Sequence, residues 1–421
     1  MQLEKVLNQI KIRFSQISNQ DPRATIGTRD LVTTLVFCLF RDRGGFRSLD
    51  CLRRLVQATC GVSISRGTFW ERLATHKLHK LLDGLLASMV QELACKLAVT
   101  AQLLKVLHVK SILLLDSTSS SLPEAAKETF PAPRNNVAPA AIKLHFCFDL
   151  LRGAIHWFLL TPATTHDRKG FPPIESLRDC LIIFDLGYWD YLLLAAIIDV
   201  KGFFLTRVKS TAVIEVLKVI KGLPKKDFEG WDLFDRRFPK KKKAIVEVLG
   251  QFSHNYKPLF SARVIGFWNP ASAQYHWYVT NLLVAAELIY PLYRLRWQIE
   301  LLFKALKSCF RLADLPSANS NIIFTLVYSA LIANIIAIPI TSLLTQELKL
   351  KKQITPSLQR AAIILVHCSQ HFIDFLRSNS KAAIKKLLDK LTLLKKEFFD
   401  PNWKKRPSSL AQVIQLAQKH A

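Results

Sequence analysis

The stretch from Tyr293 to Lys307, YRLRWQIELLFKALK, most strongly constrains the fold, because it has helical periodicity with two separate faces. At about 100° per residue, its apolar side chains form a stripe that suits burial: Leu295, Ile299, Leu302 and Leu306. A second stripe carries one acid among aromatic and cationic side chains: Tyr293, Arg296, Glu300, Phe303 and Lys307. We therefore expect one continuous helix, anchored in a core, that presents a carboxylate at a site that handles phosphate.

The charge of the chain is its second constraint. Its 421 residues carry a formal net charge of +27 at pH 7, and 50% of them are hydrophobic. The hydrophobic content predicts a folded chain with enough residues for more than one domain. The charge excess favours a polyanionic partner, with nucleic acid first and an anionic membrane surface second. A merely basic or ribosome-associated protein is the alternative.

Cysteine usage and hydropathy restrict the compartment. The eight cysteines lie in apolar runs without a CxxC pair, which favours buried thiols in a reducing compartment over a zinc site. His367 and His371 have metal-ligand spacing but no third ligand nearby in the sequence, so we interpret them as ordinary helix histidines.

Residues Asn321 to Leu344 carry no charge and are long enough to span a bilayer. Because they contain polar residues and Pro339, we expect a buried core helix broken near Pro339, and no membrane.

The first 108 residues are predicted to be helical throughout. Between residues 48 and 75, Ser48 and Ser65 can cap two short helices on either side of a turn at Gly61. A helix, a glycine-containing turn and a basic second helix are typical of helix-turn-helix DNA-binding units. A helical packing module explains the same pattern equally well.

A strand-rich region follows, and acids come after two of its strands. SILLLD ends at Asp116 and CLIIFDLGY turns after Asp185, so each acid is predicted to end a buried strand. Further strands are predicted at 142–150, 154–163 and 202–210.

Basic clusters mark residues 211–287, which otherwise consist of short β-like runs. Beside the charge of the whole chain, these lysine and arginine clusters favour a DNA-facing surface over a merely solvated loop. The last segment, residues 346–421, is predicted to be helical and is also basic.

Three acids can form a site: Asp116, Asp185 and Glu300. An acid after a buried strand often caps the next turn, so each one alone has a structural explanation. Together, in a strongly basic chain, they favour a cation site, because Mg²⁺ prefers carboxylate oxygens. Two such ions about 4 Å apart clamp the attacking and leaving oxygens of a phosphodiester. Since Arg296 and Lys307 can hold a neighbouring phosphate, the pattern predicts metal-dependent nuclease or strand-transfer chemistry.

The spacing within the predicted helix supports a resemblance to a known family. The series Tyr293-x2-Arg296-x3-Glu300-x6-Lys307 resembles the Tyr-Arg-Glu-Lys signature of bacterial insertion-sequence transposases of the DDE type. Upstream motifs resemble the same family in the same order: LLLDST at Asp116, KLHFCFDLLRG at Lys143 to Gly153, THD at Asp167, FDLGY at Asp185, FLTRVK at Arg207 and VTNL before the helix. The resemblance extends from about residue 110 to about residue 340.

The resemblance implies an α/β fold with an RNase H-like catalytic core, a β-rich insertion, and helical N-terminal and C-terminal domains. The domain plan that follows is residues 1–108, a first core half at 109–210, the insertion at 211–287, a second core half at 288–345 and the C-terminal region at 346–421. The N-terminal region would recognise DNA and the C-terminal region would support dimer contacts, both by analogy with the family.

Residue roles also follow from the resemblance. Asp116, Asp185 and Glu300 would be the catalytic and metal-binding triad, with Mg²⁺ as cofactor and Mn²⁺ as a substitute. Five side chains would contact DNA: Tyr293, Arg296, Lys307, Arg207 and Lys209. An aromatic residue of the insertion can stack on a flipped base in this family. Trp268 and Trp277 are the candidates, although a buried core position explains either residue more simply.

The implied function is cut-and-paste DNA transposition, with hydrolysis at the element ends followed by attack of the released 3′-hydroxyl. The implied partners are double-stranded DNA, as terminal inverted repeats and target DNA, and a second copy of the chain in a homodimer. The implied location is the bacterial cytoplasm, at the nucleoid. Two alternatives stay open: a structure-selective RNase H-like nuclease that cuts without joining, and a non-catalytic DNA-binding regulator.

Overall fold

The structure is a computed structural model that describes most of the chain. The described residues are 2–18, 24–38, 48–93, 100–133, 139–223, 228–235, 244–308, 312–313, 315–352, 357–378, 380–399 and 409–420. The three basic clusters of the insertion, whose DNA-facing role was predicted, lie outside these residues: Lys225-Lys226, Arg236-Arg237 and Lys240 to Lys243.

The N-terminal region is helical where it is described. Its helices are α1 Gln2–Ser15, α2 Thr28–Cys38, α3 Leu49–Cys60, α4 Arg66–Ala74, α5 His76–Glu92 and α6 Thr100–Leu107. Both predicted caps are present, since Ser48 Oγ accepts from the Cys51 N–H and Ser65 Oγ accepts from the Thr68 N–H. Gly61 ends α3 with a left-handed φ of 68°, a conformation that favours glycine. The two-helix unit is therefore present, and its role in DNA binding stays a prediction.

A sheet begins with five strands in the order β3-β2-β1-β4-β5. They are β1 Ser111–Leu122, β2 Ala140–Asp149, β3 Ala154–Pro162, β4 Cys180–Ile183 and β5 Phe203–Arg207, with helix α7 Tyr191–Asp199 between the last two. β2 is antiparallel to both β1 and β3, whereas β4 is parallel to both β1 and β5. This arrangement is RNase H-like, so the predicted fold class is confirmed.

Four more strands extend the same sheet beyond β5, in the order β9-β8-β7-β6. They are β6 Glu215–Lys221, β7 Ile245–His254, β8 Lys257–Asn269 and β9 Gln274–Thr280, each antiparallel to its neighbours. The β-rich segment is thus joined to the core sheet through the pairing of β9 with β5. β6 was not predicted, because register shifts disturb its alternation and leave Val216 and Val219 as its buried residues.

The C-terminal half supplies the remaining described helices. They are α8 Ala286–Arg294, α9 Trp297–Ser308, α10 Ser320–Lys352, α11 Leu358–His367, α12 Ser369–Arg377, α13 Lys381–Leu393 and α14 Ser409–His420. Helix α10 packs against α1, α2 and α5 from the N-terminal region and against α11. N-terminal and C-terminal helices therefore share one hydrophobic core.

Helix α10 contains the apolar segment that raised the membrane question. Its span Ser320–Gln346 is long and apolar enough to cross a bilayer, but 89% of its most apolar window is buried inside the structure. This burial fits the predicted core helix. The predicted break near Pro339 is wrong, because α10 continues through the proline. The Thr341 hydroxyl donates to the Ala337 carbonyl at 2.6 Å beside it, and packing on all sides holds the helix together.

β1 shows that the core sheet is covered on both faces. Ile112 and Leu114 face the core that contains α8, α9 and α10. Leu113 and Leu115 face a second core, formed with α7 and the strands of the insertion. All four side chains are fully buried, which explains why this strand reads as a continuous apolar run.

Candidate active site

Asp116 lies in the middle of β1 and not at its end. The prediction that the strand stops there is wrong, because backbone pairing continues to Leu122, opposite Ala140 of β2. Burial changes at the acid: residues 111–115 are buried, whereas 116–118 are partly exposed. Asp116 therefore emerges from the core at a point where hydrogen-bonded strand holds the backbone on both sides.

Asp185 lies beside it, just after the neighbouring parallel strand β4. Leu114 pairs with Ile183, and each acid comes two residues after its member of that pair. Because parallel strands run in the same direction, the two acids reach the same edge of the sheet. Asp185 Oδ1 also accepts from the Gly187 N–H at 2.9 Å and caps the 3₁₀ turn Leu186–Tyr188. The capping explanation is thus correct for Asp185, and it leaves the second carboxylate oxygen for other contacts.

The predicted single helix from Tyr293 to Lys307 is wrong, because the structure divides it into α8 and α9. Leu295 and Arg296 form the junction, where the Leu295 N–H donates to the Leu292 carbonyl and the Arg296 N–H donates to the Tyr293 carbonyl. These i→i−3 bonds tighten the chain locally. Neither junction residue is glycine or proline, so the periodicity gave no sign of the break.

The junction places Arg296 between two acids. Its Nη1 lies 2.9 Å from Asp116 Oδ2, and its Nη2 lies 2.5 Å from Glu300 Oε1. The three side chains are only 19%, 17% and 33% exposed, respectively. The guanidinium also lies 6.0 Å from the ring centre of Tyr293. Its Nε is buried and has no hydrogen-bond partner among the described residues.

Burial and neighbouring carboxylates both disfavour the ionised form of Asp116. Its pKa is raised to about 6, chiefly by burial and to a smaller extent by the carboxylates of Asp185 and Glu300. The Ser117 N–H and the guanidinium of Arg296 act in the opposite direction. The structure therefore brings the three predicted ligands into one electrostatic neighbourhood, in which a further cation is favourable.

The donor set suits a hard divalent cation, because it consists of carboxylate oxygens. In the described part of the chain, however, no three acidic, histidine or cysteine side chains are close enough together to form a complete metal site. The ion pairs of Arg296 account for part of this, since the guanidinium lies between Asp116 and Glu300. The donor chemistry of these side chains fits a metal, whereas in this structure Arg296 pairs with two of them.

The other predicted DNA contacts surround this group. Tyr293 is partly buried, with its ring centre 5.0 Å from that of Tyr278, and burial raises its pKa although the charges of Arg296 and Arg207 oppose the shift. Arg207 and Lys209 are exposed at the end of β5, while Lys307 is half-buried in the last turn of α9. Phe303, the remaining member of the stripe, is buried and packs edge-on against Phe146, so its role is packing.

The two tryptophan candidates pack on the insertion. The ring of Trp277 covers Gly266, where an added Cβ would lie 2.6 Å from the ring. Trp268 and Trp277 both contact Tyr275, with ring centres 5.1 and 5.3 Å away, respectively. Both indoles are only partly buried. Their surroundings favour packing over a stacking platform.

Sequence reasoning missed a polar group that adjoins the acids. Ser117, Lys143 and Asp167 meet through hydrogen bonds, although they lie on separate elements. Lys143 and Asp167 belong to motifs that resemble the family, but nothing in their spacing connected them to Asp116. A lysine and a histidine in the otherwise apolar run of β2 were the available signal.

The fold and these acids define a class of protein: an RNase H-like domain with one carboxylate on a strand, a second just after the neighbouring parallel strand and a third on a helix. A family model described as "Transposase DDE domain" matches residues 107–336, more than half of the chain, so the chain belongs to this family. The predicted family is confirmed. Transposases of this family act on DNA and generally use divalent metal ions. The match does not test the Tyr-Arg-Glu-Lys series, which stays a prediction.

Two relatives carry transposase names. The chain is 24% identical over 267 residues to the transposase for insertion sequence element IS1151 of Clostridium perfringens. It is 23% identical over 296 residues to the transposase for insertion sequence element IS231F of Bacillus thuringiensis subsp. israelensis. The alignments cover 53% and 60% of this chain, respectively, and 55% and 61% of the relatives. The chain thus matches somewhat more than half the length of these relatives.

Proposed function

We propose that this chain catalyses cut-and-paste DNA transposition. The phosphodiester at each element end is hydrolysed, and the released 3′-hydroxyl then attacks the opposite strand or the target DNA. The observation that carries this proposal is the placement of Asp116 and Asp185 at one sheet edge, with Glu300 linked to Asp116 through Arg296. The family match supports the same conclusion.

In this proposal Asp116, Asp185 and Glu300 hold Mg²⁺, for which Mn²⁺ can substitute. When bound, such ions lower the pKa of the attacking hydroxyl and stabilise the leaving oxygen. The crowding of carboxylates around Asp116 supports the assignment, since a cation relieves it.

Arg296 has two roles in the proposal. It neutralises Asp116 and Glu300 in the free protein, and it holds a DNA phosphate once the carboxylates are otherwise engaged. Its unused Nε and its fixed place at the junction of α8 and α9 favour this exchange. Tyr293, Lys307 and the exposed Arg207 and Lys209 provide further contacts to the DNA backbone.

The N-terminal two-helix unit is proposed to bind the element ends. On α4, the side chain of Arg66 is 76% exposed even though it pairs with Asp50, and Trp70 is 48% exposed. Two ends must be handled together, so two copies of the chain are expected on the terminal inverted repeats and the target. The proposed location is the bacterial cytoplasm, at the nucleoid.

The test is cleavage of a labelled duplex that carries the DNA flanking this gene in its own genome. With Mg²⁺, the wild type should cut at the element end, and Asp185→Asn should abolish cutting while binding in EDTA persists. Asp199→Asn is the matched control, because Asp199 is an exposed acid at the end of α7. Cutting by Asp185→Asn at the rate of the wild type contradicts the assignment of the acids.

A further inference from the structure

A fourth acid, Asp167, lies beside the three proposed ligands. It begins the 3₁₀ turn Asp167–Gly170 that follows β3. Its Oδ1 accepts from Ser117 Oγ at 2.8 Å and from Lys143 Nζ at 3.2 Å. Since Ser117 directly follows Asp116 in β1, this oxygen is one residue removed from a proposed ligand.

The other oxygen of Asp167 faces the turn that follows β4. A Cβ added to Gly187 would lie 3.0 Å from Asp167 Oδ2 and 3.1 Å from Asp185 Oδ1. The two carboxylates therefore flank the same glycine, whose N–H is bonded to Asp185. Burial raises the pKa of the Tyr188 hydroxyl, and the nearby carboxylates of Asp167, Asp116 and Asp185 raise it in the same direction.

The charge of Asp167 is already compensated within the protein. Lys143 is only 14% exposed, pairs with Asp167 and also donates to the Thr165 carbonyl at 2.7 Å. The ring of His145 is fully buried, with Nδ1 4.0 Å from Asp167 Oδ1, and burial lowers its pKa to about 4. An acid held by a lysine in this way is suited to fixing its neighbours and not to ligating a metal.

We propose that Asp167 is a positioning residue, which is hydrogen-bonded to Ser117 of β1, packs against the Gly187 turn and so fixes the spacing of Asp116 and Asp185. The role rests on the proposed function, because it serves the cations that these two acids would hold. Partners of metal ligands typically contribute 10–100-fold in metal affinity or activity. Asp167 acts through those ligands and makes no contact with the reacting atoms.

The test measures Mn²⁺ binding to the full chain without DNA. Bound Mn²⁺ is determined from the decrease in the electron paramagnetic resonance signal of free Mn²⁺. Asp167→Ala should weaken binding about 10-fold or more. Asp167→Asn, which keeps an acceptor for Ser117, should weaken it less. Asp199→Asn should bind as the wild type does. A merely structural role predicts instead a lower melting temperature with unchanged Mn²⁺ affinity of the folded protein, and that result overturns the proposal.

Ser117→Ala removes the same hydrogen bond from the other side, and it tests the positioning role of Asp167 if Asp167→Ala does not fold. Weaker Mn²⁺ binding by Ser117→Ala supports the link through β1, and wild-type binding overturns it. Asp116→Asn separates this proposal from the proposed function. If Asp116→Asn loses Mn²⁺ while the Ser117 and Asp167 variants bind normally, only the positioning role is wrong. If Asp116→Asn binds Mn²⁺ as the wild type does, the proposed metal site is wrong, and the positioning role with it.

Discussion

The isosteric change Asp116→Asn is expected to stabilise the metal-free protein. Folding raises the pKa of Asp116 from 3.8 to about 6, chiefly through burial, with Asp185 and Glu300 adding to it. The folded chain therefore holds this proton more tightly than the unfolded chain does. As a result, stability falls as the pH rises from about 4 to about 6 and then levels off. Asparagine cannot ionise, so the stability of the variant does not fall over this pH range.

The magnitude follows from the pKa difference. At about 1.4 kcal/mol per unit, the ionised carboxylate lowers the free energy of unfolding by about 3 kcal/mol at pH 8. At pH 5, where much of the folded protein is still protonated, the loss is about half as large. The side chain of Asp116 is only 17% exposed, so solvent screening reduces these values little.

Urea unfolding in EDTA at pH 8 and pH 5 measures both values. Asp116→Asn should be more stable than the wild type by about 3 kcal/mol at pH 8 and by about half of that at pH 5. Added Mg²⁺ should stabilise the wild type and not the variant. Asp199→Asn controls for the general loss of a negative charge. Equal stabilities at pH 8, or a difference that grows towards pH 5, contradict the reasoning.

Two further changes test the packing that supports the site. Gly170→Ala places a Cβ 2.0 Å from the ring of the buried His145, so it should lower the melting temperature and slow cleavage. Gly84→Ala is the control, because an added Cβ there meets nothing within 4 Å, and it should change stability by no more than about 1 kcal/mol. Arg263→Met leaves the buried Glu247 unpaired and should destabilise by about 3–5 kcal/mol in urea. A loss below about 1 kcal/mol indicates that water reaches Glu247.

Much of the fold could be predicted from the sequence, because the relevant signals are local. The stripe of Leu295, Ile299 and Leu302 is fully buried as predicted, even though Leu295 lies at the junction between two helices. Ser48 and Ser65 cap the helices that they were predicted to cap. Apolar runs followed by acids also identified β1, which carries Asp116, and β4, which precedes Asp185.

The rest depends on contacts between distant parts of the chain. β1 extends past Asp116 because β2 is available to pair with it, although its serines favour strand only weakly. The junction at Arg296 contains no helix breaker, so its sequence does not predict a break. In the structure the guanidinium at this junction contacts two acids, and one of them is on a distant strand. Asp167 and Ser117 are far apart in the sequence, and the hydrogen bond that joins them depends on the folded chain.

Strand transfer with pre-cut DNA distinguishes a transposase from a nuclease that only cuts. Purified protein is incubated with Mg²⁺, a target plasmid and a labelled duplex that ends at the element's own 3′-hydroxyl. We expect covalently joined products with the wild type, none with Asp116→Asn, Asp185→Asn or Glu300→Gln, and wild-type levels with Asp199→Asn. Hydrolysis of DNA by the wild type without joined products, or joining that survives these three changes, contradicts the proposed function.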